Sequence, residues 1–199
     1  MNIVDIFSIG AIIISYFIGN ISPAILIAKA KGVDIRSVGS KNAGTTNVLR
    51  TIGKKYAVIT LLIDVIKGVV PVYLASITLG EKTAAMCMAA VLLGHIWPAL
   101  FNYRGGKGVA TAFGGLLAFY YPLGLIALGM VVLGIVLTKK MSVGTIFAAT
   151  SFPIFVLLMK PEFTLWALAL ALLILFKHRQ NIQRLINGTE PNLGKKIDK

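Results

Sequence analysis

Carboxylates, histidines and cysteines are all scarce here: seven Asp and Glu, two His and one Cys in 199 residues. Cys87 stands alone in an apolar run, which excludes an intramolecular disulfide. The few His, Cys and acids fall at no metal-ligand spacing, so no metal set is visible. The Ser, His and acid combinations that can be drawn lack any nucleophile motif. Charge as a whole is thin, 14% of residues against roughly 25% in soluble domains. A soluble chain of this length has too little core to hide 57% apolar residues, and the mean hydropathy is +0.84. The alternation of two that a membrane barrel requires is missing as well. What remains is an all-α polytopic membrane protein, read as one domain over 1–199.

The apolar runs carry that reading. A membrane crossing needs about 20 mostly apolar residues. Residues 6–28 hold no charge, and 56–79 hold only Asp64 and Lys67. Runs 83–103, 109–138, 141–159 and 163–176 contain no Asp, Glu, Lys or Arg. The N-terminus has no positively charged n-region, so the first helix is expected to stay in the mature protein.

A net charge of +13 raises nucleic acid as a partner, but its distribution argues against it. Lys29, Lys31, Arg36, Lys41, Arg50, Lys54 and Lys55 crowd between the first two runs, and Lys177, Arg179, Arg184, Lys195, Lys196 and Lys199 crowd the tail. Positive loops stay cytoplasmic. The N-terminus is therefore expected outside and the C-terminus inside, which demands an odd number of crossings from six runs. Residues 109–138, interrupted by Tyr120, Tyr121 and Pro122, are predicted to form a short hairpin of two helices of about 14 residues, each rising about 21 Å. That makes about seven transmembrane helices, some short or re-entrant. The alternative is five full crossings with one segment interfacial or re-entrant.

Three polar segments fall on the expected cytoplasmic side. The first is Gly39-Ser40-Lys41-Asn42-Ala43-Gly44-Thr45-Thr46-Asn47-Val48-Leu49-Arg50. Its glycines let backbone N–H groups turn inward as an anion nest, and Arg50 can hold a phosphate with two parallel hydrogen bonds. The composition serves a solvated turn equally well. The second is Gly94-His95-Ile96-Trp97-Pro98 followed by Arg104-Gly105-Gly106-Lys107-Gly108-Val109-Ala110-Thr111. A glycine turn running into a helix start suits an anion, with Lys107 as a point charge. It is not a nucleotide P-loop, since Phe101 stands where that motif needs Gly and Gly108 where it needs Ser or Thr. The third is His178-Arg179-Gln180-Asn181-Ile182-Gln183-Arg184-Leu185-Ile186-Asn187-Gly188-Thr189-Glu190, whose apolar spacing also fits an amphipathic helix on anionic lipid.

Two further features have plain structural readings. Asp64 and Lys67 lie three apart on one helix face, and mutual neutralisation is the simpler account of an intramembrane pair. Ser142 and Thr145 can reach a ligand or cap a helix, and capping is the commoner use.

Taken in order, the three segments resemble one family, the bacterial membrane-bound acyl-phosphate:glycerol-3-phosphate acyltransferases, over essentially the whole chain. The family often has Pro-Gly-Ala-Thr-Asn where this chain has Ala43-Gly44-Thr45-Thr46-Asn47, which leaves the polar positions intact. The resemblance implies transfer of a long-chain acyl group from acyl phosphate to the 1-hydroxyl of glycerol 3-phosphate. The products are 1-acyl-glycerol 3-phosphate (lysophosphatidic acid) and phosphate, in the first acylation of bacterial phospholipid synthesis. It implies no cofactor and no metal, no nucleic acid, membrane lipids as surroundings, and a site on the cytoplasmic side of a bacterial inner or plasma membrane. By positional match, Ser40, Arg50, Lys107 and His178 are the candidate catalytic residues. Asn42, Thr46, Asn47, His95, Gly105, Gly106, Ser142 and Asn181 complete the candidate pocket. No acid has the setting of a general base, so proton transfer is expected to be substrate-assisted. A small exporter of phosphorylated metabolites, or a purely structural membrane subunit, would also use apolar helices and basic loops. Neither predicts three separated polar motifs on one side.

Overall fold

Chain inside hydrocarbon must satisfy its own backbone hydrogen bonds, so the apolar runs become helices. The computed structural model describes residues 3–195, which are helical with no strand among them. Asn2 at the amino end, and Lys196, Asp198 and Lys199 of the basic tail, lie outside the described residues. The chain divides into two compact units, the first ending at Tyr121 and the second running Pro122–Lys195.

The first unit holds α1 (Ile3–Asn20), α2 (Pro23–Ala30), α3 (Thr45–Thr51), α4 (Lys54–Leu79), α5 (Glu81–Ile96) and α6 (Val109–Phe119). Pro23 opens α2, where its missing N–H costs nothing. α1 packs on α5 and α4 on α6. Small residues permit this closeness: a side chain at Gly94 would strike the Tyr16 carbonyl, and one at Gly68 the Thr111 carbonyl. Ala24, Ala28, Ile35, Ala43, Val48 and Ala57 form an apolar cluster joined by Val38, Leu49, Ile52 and Tyr56. That cluster moors the polar segment between α2 and α4 onto the helices.

The second unit holds α7 (Tyr121–Thr138), α8 (Met141–Met159), α9 (Thr164–Lys177) and α10 (Arg179–Ile186). α7 meets α8 where Gly134 and Gly144 stand face to face, and α8 packs on α9. The chain bends by 58° between Pro161–Lys177 and α10.

Five helical stretches are long and apolar enough to cross a membrane: Asp5–Ala30, Lys54–Leu79, Glu81–Phe101, Tyr121–Thr138 and Met141–Met159. A sixth results if the bent pair at Pro161–Lys177 and Arg179–Ile186 is one span. Their outward faces carry large apolar side chains, among them Phe7, Ile66, Leu137, Leu158 and Leu165, as lipid contact requires. The 109–138 run does break at Tyr120, whose backbone is extended, but not into equal halves. α6 has 11 residues and α7 has 18, rises of about 16 and about 27 Å. Pro122 favours the division: a proline is best accommodated in the first turn of a helix, and α7 begins immediately before it and takes the longer share.

Candidate functional site

In the first unit two polar segments distant in sequence come together. The 35–44 chain leaves α2 and is stapled by Asn47, which is 1% exposed. Its Oδ1 accepts from the Ser40 N–H (2.9 Å), and its Nδ2 donates to the carbonyls of Ile35 (3.0 Å) and Val38 (3.1 Å). Gly39 has φ +57°, and any side chain there would strike Asn47 Oδ1, so the staple requires glycine. Asn47 is thus committed to the shape of the loop. It leaves Ser40, Asn42 and Thr46 half-buried around it. Arg50, one turn further along α3, is buried at 7% exposure.

The second segment folds back over the end of α5. The N–H of Gly106 donates to the His95 carbonyl (3.1 Å) and that of Gly105 to the Ile96 carbonyl (3.2 Å), groups that a helix end leaves without intrahelical partners. Gly106 is buried against two neighbours at once. A side chain there would meet His95 Nε2 and the Ala43 carbonyl, so the glycine turn rests on the His95 ring and on the first segment together. Arg36 adds a tie, its Nη1 donating to the Phe101 carbonyl at 3.2 Å. Lys107, half-buried, follows directly and precedes the start of α6. Ser40, Asn42, Thr46, Arg50, His95, Gly105, Gly106 and Lys107 therefore belong to one unit, built from two touching loops.

In the second unit, the third segment is organised by its last residue, an acid in the polar tail. Glu190 is 6% exposed. Its Oε1 accepts from Ser142 Oγ (2.7 Å) and Asn181 Nδ2 (2.6 Å), and its Oε2 accepts from Arg184 Nε (2.7 Å). Burial alone would raise this carboxyl. The hydrogen bonds from Ser142, Asn181 and Arg184, with the Arg184 charge, outweigh it and hold Glu190 below the ordinary glutamate range. The capping expectation for Ser142 and Thr145 is corrected. Lys140 occupies the cap position of α8, Ser142 holds Glu190, and Thr145 donates to the Met141 carbonyl one turn back at 3.1 Å. His178, buried at the α9–α10 bend, has Nδ1 2.8 Å from the Ile174 carbonyl. A carbonyl only accepts, so Nδ1 carries a proton and donates it. Sequence offered one clue to Glu190: Gly188, at φ +68°, turns the chain after α10 so that the Thr189 and Glu190 N–H groups return to the Arg184 carbonyl.

The expected Asp64–Lys67 pair is present at 2.7 Å, and His95 joins it, with Nδ1 3.3 Å from Asp64 Oδ1. Among the described residues, no group of three His, Cys, Asp or Glu is placed to hold a metal.

The model of the glycerol-3-phosphate acyltransferase family matches residues 9–188. Glycerol-3-phosphate acyltransferase of Alkaliphilus metalliredigens is 43% identical over 189 residues, covering 93% of this chain and 95% of that one. That of Clostridioides difficile is 41% identical over 195 residues, covering 92% and 94%. A crystal structure of PlsY, an integral membrane glycerol 3-phosphate acyltransferase, in its glycerol 3-phosphate form superposes with TM-score 0.90 at 34% identity, covering 94% of this chain and 95% of that one. Its lysophosphatidic acid form gives TM-score 0.86 at 33% identity. A family match across nearly the whole chain, relatives above 40% identity and a shared all-helical membrane fold lead to one conclusion: the chain belongs to the glycerol-3-phosphate acyltransferase family.

Proposed function

We propose that the enzyme takes its acyl group from a long-chain acyl phosphate and delivers it to the 1-hydroxyl of glycerol 3-phosphate. The observation that supports this best is the setting of its carboxylates. Asp64 is buried in an ion pair with Lys67, and Glu190 is held by three donors. Neither is placed to take a proton from a hydroxyl. Such a site suits a donor that arrives activated and carries its own proton acceptor. The hydroxyl oxygen attacks the acyl carbonyl carbon, the bond from that carbon to the phosphate oxygen breaks, and the hydroxyl proton passes to a phosphate oxygen. Within the first unit Ser40, Arg50 and Lys107 hold phosphate, Asn42 and Thr46 line the first loop, and Asn47 shapes it; His178, Ser142 and Asn181 are the polar candidates of the second unit. The protein's contribution is positioning and charge stabilisation. Purified protein given palmitoyl phosphate and glycerol 3-phosphate, without metal or nucleotide, is expected to release 1-acyl-glycerol 3-phosphate. Turnover with palmitoyl-CoA and none with palmitoyl phosphate would reject this donor.

Substrate assistance has its own test. Side-chain general-base catalysis contributes about 10²–10⁴-fold. His178→Asn and His95→Asn are expected to raise KM more than they lower kcat and to leave the pH profile unchanged. A hundredfold fall in kcat at saturating substrates, with a histidine-like titration erased, would identify a histidine base instead.

The site faces the cytoplasm in this proposal, in a bacterial inner or plasma membrane, with the amino end outside. In a Cys87→Ala background, single cysteines at Asn2 and Lys82 should label from outside and those at Lys55 and Lys195 from inside. Labelling of Lys82→Cys from the cytoplasm would overturn the orientation.

A further inference from the structure

We propose that Asp64 is a positioning residue: acting through His95, it fixes from within the membrane the glycine turn that carries Lys107. The proposal rests on the reading of that turn as a phosphate-holding loop. Three ionisable side chains meet inside the first unit, each almost fully buried: Asp64 at 2%, Lys67 at 4% and His95 at 6% exposure. Lys67 has a structural task. Its Nζ donates to the Ile21 carbonyl at 2.6 Å, at the break where α1 gives way to α2. Asp64 neutralises Lys67 at 2.7 Å, and if the trio did nothing else it would be a device for holding a broken helix.

His95 does not fit that account. Neutralising Lys67 needs no imidazole, and a buried histidine beside a buried ion pair adds a polar group to desolvate. The ring has a neighbour at each end. Nδ1 lies 3.3 Å from Asp64 Oδ1, at ion-pair distance without hydrogen-bond geometry. A carboxylate only accepts, so the proposal places the ring proton on Nδ1. Nε2 lies on the opposite side, where a side chain on Gly106 would collide with it. The His95 carbonyl meanwhile accepts the Gly106 N–H. Gly106 is therefore seated on both the ring and the backbone of His95, and Lys107 is the next residue. A rotation of the imidazole would displace Gly106 and carry the ammonium with it. A carboxylate behind a histidine, fixing tautomer and orientation, is a familiar way of holding a working group in place. Here what is held is a turn of backbone.

Charge and geometry separate in two double variants. Asp64→Leu with Lys67→Met removes both charges and the acceptor for His95. Asp64→Asn with Lys67→Met removes both charges but keeps a carbonyl oxygen beside Nδ1. The Asn/Met protein is expected to retain most of the wild-type kcat/KM for glycerol 3-phosphate. The Leu/Met protein is expected to lose on the order of 10²-fold, the scale of a 1 Å misplacement, and His95→Asn added to it should cost little more. Wild-type kinetics in a stable Leu/Met protein would overturn the proposal. A measurement on the unaltered chain decides the matter should that variant not fold. The sequence holds two histidines, so ¹⁵N-histidine NMR gives two imidazoles, assigned by loss of one in His95→Asn. A proton on Nδ1 of His95 is expected; Nδ1 bare with the proton on Nε2 would overturn the proposal. Wild-type kinetics in Lys107→Ala would instead remove the phosphate-loop reading while leaving the Nδ1 result intact.

Discussion

Lys107→Ala should lower kcat/KM by on the order of 10²–10³-fold, the cost of deleting one preorganised donor to developing charge, with membrane insertion and thermal stability close to wild type. The turn that carries Lys107 is supported from elsewhere. Its shape is set by backbone and by neighbours: Gly105 and Gly106 bond to the end of α5, Gly106 lies against His95 and Ala43, and a side chain at Gly108 would meet Leu92. Lys107 itself is half-buried, so its truncation opens no core cavity. Lys107→Arg should rescue poorly. An ammonium is a compact point charge on a flexible stem, whereas a guanidinium is a planar fork needing room for five donors. Activity assays at saturating acyl phosphate, with glycerol 3-phosphate varied, check both. Turnover of Lys107→Ala within a few-fold of wild type would return the lysine to an ordinary loop cation.

The helices were legible because their cause is local. A run of 20 apolar residues carries its own instruction in hydrocarbon, and the interruption at Tyr120 was visible through Pro122. The unequal division into α6 and α7 was harder to read, since it turns on which residue a proline allows to start a helix. The site was legible as three segments and not as contacts. Nothing in the spacing of Ala43 and Gly106 says that they touch, because their meeting is decided by the packing of α4 and α5, which lie between them in the chain. Asn47 shows the same limit from the other side. An amide in a polar loop reads as a ligand-binding group, yet its three hydrogen bonds all go to its own loop. Ser142 looked like a cap because capping is local, and its actual partner lies 48 residues away.

Glu190 is the residue whose importance was least visible and whose loss should cost the most stability. Three donors from two helices, Ser142 on α8 with Asn181 and Arg184 on α10, converge on one buried carboxylate. The Leu193 N–H donates to the Lys139 carbonyl at 2.7 Å and ties the chain beyond Glu190 to the entry of α8. Glu190→Ala leaves those donors facing nothing, and breaking a buried charged network from one side costs about 3–5 kcal/mol. Glu190→Gln keeps an oxygen for Ser142 and Asn181 but turns an amide N–H₂ toward Arg184, donor against donor. It should fall between wild type and Glu190→Ala in apparent Tm. The sign of the pH effect follows from the depressed carboxyl. The ionised form is favoured by folding, so its contribution is fully present above the unfolded glutamate value of about 4.3 and is lost as pH falls through the lower folded value. Thermal unfolding of the detergent-solubilised protein, followed from neutral pH downward, should therefore show an acid-side loss of stability that is shallower in Glu190→Gln. An equal acid-side slope in the two proteins would mean that another carboxylate governs it. An unchanged Tm in Glu190→Ala at neutral pH would mean that Ser142, Asn181 and Arg184 are held by something other than Glu190.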